Sequence, residues 1–323
     1  MATLKDVARE AGVAVSTVSR AFTHPERLNA DTVARIREVA EQMNYRVNPL
    51  AKALITGSSP IIGMLVTDIA DPFMTSAIKG AQAEAYEHGL WLAVGDTNAI
   101  DQRESEWADT MSDMARGLIL LGARASDEAL RSIAERKRLV LLQRSIPGVA
   151  CELIESRPAM VAILDHLMGH GHRHLAYLPG PSERWMPRHK LAVFTELCSE
   201  RDVTLTVLPH TESTIKAGES LTDAVLASGA TAAVCANDRM AQGVVAALFR
   251  RNFRPPDNLS VVGHDDSLRD IAVPSLTTTT DLAADLGRAA VRRLLAEGDL
   301  SPTTQTLTAG ASFRDSSGPA PVH

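Results

Sequence analysis

The stretch Thr3-Leu4-Lys5-Asp6-Val7-Ala8-Arg9-Glu10-Ala11-Gly12-Val13-Ala14-Val15-Ser16-Thr17-Val18-Ser19-Arg20 decides how this chain is read. Leu4, Val7, Ala8 and Ala11 recur at spacings of three and four. That spacing puts them on one face of a short helix, opened by the capping hydroxyl of Thr3 and stopped at Gly12. A second helix follows almost at once. Val18 and Phe22 supply its inward positions, so Val15, Ser16, Ser19 and Arg20 lie on another face, left for solvent or a partner. A third helix begins after Asn29, with Val33, Ile36, Ala40 and Met43 at the same spacings, and Tyr45 closes a small core. Three helices in this order, the middle one showing a polar face, form a helix-turn-helix unit.

Outward from this unit, Asn48-Pro49 leads into Leu50 to Ile55, a short stretch with helical potential that Gly57-Ser58-Ser59-Pro60 breaks. From Ile61 the pattern changes. Apolar runs at Ile61 to Val66, Leu90 to Val94, Gly117 to Leu121 and Leu139 to Leu142 alternate with amphipathic segments, the rhythm of a parallel βαβ sheet. After a break around Pro147 to Pro158 it resumes at Leu175 to Leu178, Leu205 to Leu208, Ala232 to Ala236 and Leu259 to Gly263. Two doubly wound lobes follow from this reading. In such sheets ligands sit beyond the carboxyl ends of the strands, which here carry Asp68, Asp71, Phe73, Arg184, Trp185, Asn237, Asp238, Asp265 and Asp266. Asn237 and Asp238 equally suit capping of the helix that follows them. The expected domains are residues 1–47 as the helix-turn-helix, 48–60 as hinge helix and linker, 61–314 as the bilobal unit and 315–323 as a disordered, Pro-containing polar tail.

Composition fits a globular protein: 45% hydrophobic and 22% charged residues in a chain of 323, enough apolar material for one small and one large core. Met1 to Glu10 carries Lys5, Asp6, Arg9 and Glu10 rather than an apolar leader core, and nowhere do 18 apolar residues run together, so a cytoplasmic protein with no membrane span is expected. Cys151, Cys198 and Cys235 share no CxxC spacing, which argues for buried thiols in a reducing compartment. The net charge of −6 conceals an asymmetry, because residues 1–57 hold eight Lys/Arg against six Asp/Glu. Arg20, Arg35, Arg46 and Lys52 can therefore face phosphates while the acidic remainder stays off a duplex.

The segment Thr3 to Arg20, together with Asn44-Tyr45-Arg46-Val47-Asn48-Pro49-Leu50-Ala51-Lys52-Ala53-Leu54, resembles the head and hinge of the lactose/galactose repressor (LacI/GalR) family. Asp71-Pro72-Phe73, Gly169 to His174, Ala236-Asn237-Asp238-Arg239-Met240-Ala241, Val261 to Asp266 and Pro274 to Thr278 follow in family order, so the resemblance covers essentially the whole chain. It implies an all-α helix-turn-helix DNA-binding domain plus an α/β periplasmic-binding-protein-like sensor. It also implies a homodimer on pseudo-palindromic double-stranded operator DNA, and a small-molecule, sugar-like effector held between the lobes. Carried over by residue, Val15, Ser16 and Arg20 are base-reading candidates, with Thr3, Leu4, Thr17 and Ser19 beside the backbone. Ala51 and Lys52 would track the minor groove, and Leu54 would intercalate. Taken alone, Leu54 suits packing of the linker against the sensor. For the effector, the resemblance points to Asp71, Phe73, Arg188, Asn237 and Asp265, with Trp185, Gln143 and Asp281 as further candidates. Asp, Asn and Arg can pair with neighbouring hydroxyls, and a flat ring can cover a pyranose face. Trp185 equally suits a rim position without ligand contact.

The sequence departs from the family at three places. Ala14 stands where Ser or Thr usually caps the recognition helix, a loss of about 1 kcal/mol. Cys151 to Met160 does not reproduce the usual Asp-containing strand, and no leucine heptads follow Arg314, which favours a dimer over a tetramer. An α/β enzyme finds little support, since the GxGxxG, GxxxxGK[ST], GxSxG and HExxH patterns are all missing; no catalytic residue and no cofactor is expected. A periplasmic sugar-binding protein is disfavoured by the helix-turn-helix and the charged first residues. His170, His172 and His174 share one face of an extended segment, but without a nearby Cys or carboxylate a structural role outweighs a metal site.

Overall fold

The computed structural model describes residues 2–45 and 59–321, which fall into two compact units, an N-terminal head and a larger sensor. Ala51, Lys52 and Leu54, together with Arg46, lie outside the described residues.

In the head, α1 (Leu4–Glu10) opens on a reciprocal cap: Thr3 Oγ1 accepts from the Asp6 N–H at 3.3 Å, and Asp6 Oδ2 accepts from the Thr3 N–H at 3.0 Å. Gly12, at φ +64°, turns the chain in a conformation that costs other residues a clash. Helix α2 (Val15–Thr23) and α3 (Ala30–Gln42) follow, the latter capped by Asn29 Oδ1, which accepts from the Asp31 N–H at 2.8 Å. Val7, Ala8, Ala11, Val18, Ala21, Ile36 and Ala40 form the buried core. Ala21, rather than Phe22, sits fully inside beside Val18; Phe22 is half-buried with its ring 6.0 Å from that of Tyr45.

The first lobe of the sensor is a six-stranded sheet of β1 (Ile61–Val66), β2 (Trp91–Asp96), β3 (Leu118–Leu121), β4 (Leu139–Leu142), β5 (Ala150–Glu155) and β11 (Thr304–Thr308). Its order is β11-β5-β4-β3-β1-β2, and the pairs from β11 through β1 are parallel. Helices α4 (Pro72–Glu87), α5 (Asp101–Met114), α6 (Asp127–Arg136) and α11 (Ala283–Leu295) belong to the same lobe. The second lobe has the parallel order β7-β6-β8-β9 from β6 (His174–Leu178), β7 (Thr204–Val207), β8 (Ala232–Cys235) and β9 (Ser260–Val262). Its helices are α7 (Arg157–Gly169), α8 (Trp185–Glu200), α9 (Ile215–Ala227) and α10 (Asp238–Arg250). Both lobes use one packing device. Gly80 of α4 and Gly287 of α11 each leave so little room that an added Cβ would lie 1.9 and 2.0 Å from a carbonyl of the facing helix, and Gly218 and Gly243 repeat this between α9 and α10. Three connections join the lobes: β5 to α7, β10 (Thr278–Thr279) to α11, and β11 to β12 (Ala311–Ser312), with β12 antiparallel to β10.

Two sequence expectations are corrected. The supposed break at Pro147 to Pro158 contains β5, in the sheet between β4 and β11. Glu152 interrupts its apolar pattern but is buried, paired with Arg293 Nη1 at 2.7 Å; Arg293 also donates to the carbonyls of Cys151, Ser301 and Thr303. The tail from Asp315 is ordered through the last described residue instead of disordered. Ser316 bonds both backbone groups of Val261 (2.7 and 2.6 Å) on the free edge of β9, and the Gly318 N–H donates to Ser260 Oγ at 3.1 Å. Its polar composition satisfies a sheet edge that would otherwise stay unpaired.

His170 and His172 serve this docking. His172 is fully buried, with Nδ1 2.8 Å from Thr231 Oγ1 and Nε2 3.0 Å from the Gly318 carbonyl; the His170 carbonyl accepts from the Ala320 N–H at 2.8 Å. His174 bonds Thr206 Oγ1 at 2.8 Å. No helix among the described residues is long and apolar enough to cross a membrane.

Candidate functional site

On the head, α2 turns Val18 and Ala21 inward, which leaves Val15, Ser16 and Arg20 exposed and Thr17 and Ser19 half-buried. The Arg20 side chain makes no hydrogen bond or ion pair within the described residues and is exposed, so its guanidinium is free for an external acceptor. Ala14 makes no side-chain cap, so the first N–H groups of α2 also remain available to an anion such as a phosphate. Thr3 and Leu4 are less free. The Thr3 hydroxyl donates to Asp6 Oδ2 at 2.7 Å, and Leu4 is half-buried against the head core.

Within the sensor, a cleft open to solvent lies between the lobes. The first lobe contributes Asp71, Phe73, Gln143 and Arg144, and the second contributes Arg184, Trp185, Lys190, Asn237 and Asp265. Asp71 reaches the cleft as the cap of α4, where Oδ1 accepts from the Phe73 N–H at 3.0 Å and Pro72 fixes the first turn. Asn237 does double duty: Oδ1 caps α10 through the Met240 N–H at 2.9 Å and Nδ2 donates to the Ser213 carbonyl at 3.1 Å, which leaves one donor and one acceptor site for a ligand. Gln143, held at φ +58°, accepts from the Ile154 N–H at 3.0 Å and keeps its amide donors. The Trp185 ring stacks on His189 with centroids 4.8 Å apart.

Charges in the cleft come largely in pairs. Lys190 Nζ lies 3.2 Å from Asp265 Oδ1 and 2.8 Å from His264 Nδ1. Burial opposes ionisation of Asp265, yet Lys190 and His264 hold its carboxyl well below the usual carboxylate range. Arg239, the second residue of α10, reaches across to the first lobe, with Nη1 2.9 Å from Asp68 Oδ2 and 3.2 Å from Asp71 Oδ2. Burial raises the pKa of Asp71 while Arg239 pulls it back. Arg124 and Glu183 make a second ion pair between the lobes at 3.5 Å.

Six of the eight expected effector residues thus meet in one cleft, and two do not. Arg188 is exposed on α8 and absent from the cleft wall. Asp281 caps the Ala283 N–H at 2.9 Å beside a different depression, with Asp266 and Arg269. Sequence reasoning missed Arg144, Lys190 and Arg239, and placed Arg184 only among the residues beyond the strand ends, not among the effector candidates. Lys190 was accessible to it: with Phe194 and Leu197 it falls on the buried stripe of α8, a face that excludes Arg188.

With this geometry in place, comparison with known proteins is specific. Residues 3–48 match the lacI family of bacterial regulatory proteins, and residues 164–317 match a periplasmic binding protein-like domain. The HTH-type transcriptional repressor CytR of Escherichia coli (strain K12) is 28% identical over 305 residues, 91% of this chain and 89% of that protein. The chain belongs to the LacI family. The HTH-type transcriptional regulator GalR of the same strain is 27% identical over 311 residues, 94% of this chain and 91% of that protein. The lac repressor dimer bound to operator and the anti-inducer ONPF has the same fold, with a TM-score of 0.87 and 23% identity across 98% of this chain and 99% of that one. The chain is accordingly a DNA-binding transcriptional regulator and not an enzyme.

Proposed function

We propose that this regulator acts in the cytoplasm as a homodimeric repressor on a pseudo-palindromic operator, and that a sugar-like effector bound in the interlobe cleft sets its affinity for DNA. The carrying observation is the Arg239 bridge from the head of α10 to Asp68 and Asp71, because it makes lobe closure depend on residues that line the cleft. A ligand that engages Asp71, Asn237 and Asp265 changes the balance of that bridge and so favours one lobe arrangement over the other. Phe73 and Trp185 supply the apolar faces that cover a ring, while the amide and carboxylate groups address its hydroxyls. On DNA, Val15, Ser16 and Arg20 read base edges in the major groove, and Thr17 and Ser19 approach the phosphates.

Fluorescence anisotropy of an operator duplex, titrated at fixed salt with and without a ligand selected by thermal shift, tests the coupling. The expected outcome is a change in operator affinity of about 5- to 150-fold at ligand saturation, lost in Asn237→Ala and Asp265→Asn. An unchanged affinity at saturation refutes it.

A further inference from the structure

We infer that the effector is an anion, and that Arg184 receives its carboxylate or phosphate group. This deepens the cleft reading above and rests on it. Asp71 is answered by Arg239 at 3.2 Å and Asp265 by Lys190 at 3.2 Å. Arg144 donates to Asp127 Oδ1 at 2.7 Å and to the carbonyls of Ala123 and Ala125 at 2.8 and 2.7 Å. Among the charged groups of the cleft wall, the Arg184 side chain alone has no hydrogen bond or ion pair within the described residues, and its Nε is buried without a partner. Its neighbour in sequence, Glu183, is turned to Arg124 at 3.5 Å.

A guanidinium carries five N–H donors in a fork that matches the two oxygens of a carboxylate or phosphate, and a buried charge left without such a partner is costly. Burial holds the Arg184 pKa below the usual arginine range, with the charge of Arg124 adding to the drop; the carboxylates of Glu212, Glu183 and Asp71 act on it through space and oppose the drop, but none bonds to it. Arg184 is also the residue from which α8 starts, and no side chain caps that helix, so its positive end adds to the same site. A neutral polyol would leave this cation uncompensated; an acid group supplies the missing charge, while Phe73 and Trp185 accept the rest of the molecule.

The test is calorimetric titration of the full chain with hexoses and pentoses, each set beside its aldonate, its uronate and its phosphate ester, with inorganic phosphate as the minimal probe. Acids are expected to bind and their neutral parents to bind far more weakly; the aldonate and ester arms show whether the anion is carboxylate or phosphate. Arg184→Gln should weaken the best acid by about 10- to 100-fold, with Arg184→Lys intermediate. Without ligand, Arg184→Gln should melt no lower than the wild type, since it removes a half-buried cation whose side chain has no bonded partner; an arginine held for structure would give the opposite. A neutral sugar binding as well as its acid, an acid indifferent to Arg184→Gln, or the absence of binding by every anion including phosphate overturns the inference. A neutral sugar lost in Asp265→Asn but kept in Arg184→Gln would retain the cleft as effector site and remove only the anionic class. Binding indifferent to both substitutions would remove the cleft itself.

Discussion

Asp238→Asn should make the protein less sensitive to alkaline pH, and the size of the effect follows from where Asp238 sits. It is the first residue of α10, between Asn237 and Arg239, and is 1% exposed. Its Oδ1 accepts from the Thr278 hydroxyl at 2.7 Å, while Oδ2 is buried without a partner. Burial pushes its pKa up to about 7, with the charges of Asp265 and Asp266 adding to the rise and the Thr278 bond opposing it. Unfolded, the same carboxyl titrates near 4. Between these values the native state holds a proton that the unfolded state has released, so stability falls as pH rises toward 7 and levels off above it. Linkage gives a loss of about 2 kcal/mol between pH 5.5 and 8.5, most of it reached by pH 7.

Other groups tilt the absolute profile. Burial lowers the pKa of His264 and of His172, so those rings resist protonation in the native state and stability rises with pH through the histidine range. Asp265, held low, is ionised in both states above pH 5.5 and adds no slope there. The informative quantity is therefore the difference between Asp238→Asn and the wild type in the same buffers, from which these terms cancel. Calorimetric or fluorescence melting should show the variant gaining on the wild type by about 4 °C from pH 5.5 to 8.5. A gap that stays flat across this range refutes the reasoning, because it would mean that Asp238 ionises in the fold as it does in solvent.

Arg293→Met should cost about 3–5 kcal/mol in urea denaturation, since it strands the buried Glu152 carboxylate, and Glu152→Leu in the same chain should recover most of that loss; a cost below 1 kcal/mol would show that water reaches Glu152. Arg20→Ala should relax preference at one base position of each operator half-site by roughly 1–3 kcal/mol, read by binding to single-base operator variants. Uniform weakening over all variants would instead make Arg20 a phosphate contact.

The head was legible because its information is local. A period of 3.6, the Thr3 and Asn29 caps and Gly12 specify three short helices without reference to anything distant. The central strands were legible for a related reason, since a strand covered on both faces reads as an unbroken apolar run, as in Leu118–Leu121 and Leu139–Leu142. The elements that escaped depend on partners far along the chain. β5 hides behind Glu152, whose burial makes sense only with Arg293, 141 residues away. The Ser-rich tail has the composition of a solvated end, yet Ser316 completes the edge of β9 from 55 residues away.

The same distinction separates the legible from the illegible part of the cleft. Asp71, Phe73, Asn237 and Asp265 stand at strand ends, and strand ends are visible in sequence. Choosing between Arg184, Arg188 and Lys190 is a different problem, because three cations within seven residues look alike until each is given a face and a partner. Lys190 is taken by Asp265, 75 residues on, and Asp71 by Arg239, 168 residues on. Arg188 faces solvent. Only after these assignments does one charge remain over, and the anion inference rests on that remainder: a site whose internal pairs are complete selects by shape and hydroxyl pattern, whereas a half-buried arginine without a bonded acid favours an acidic ligand.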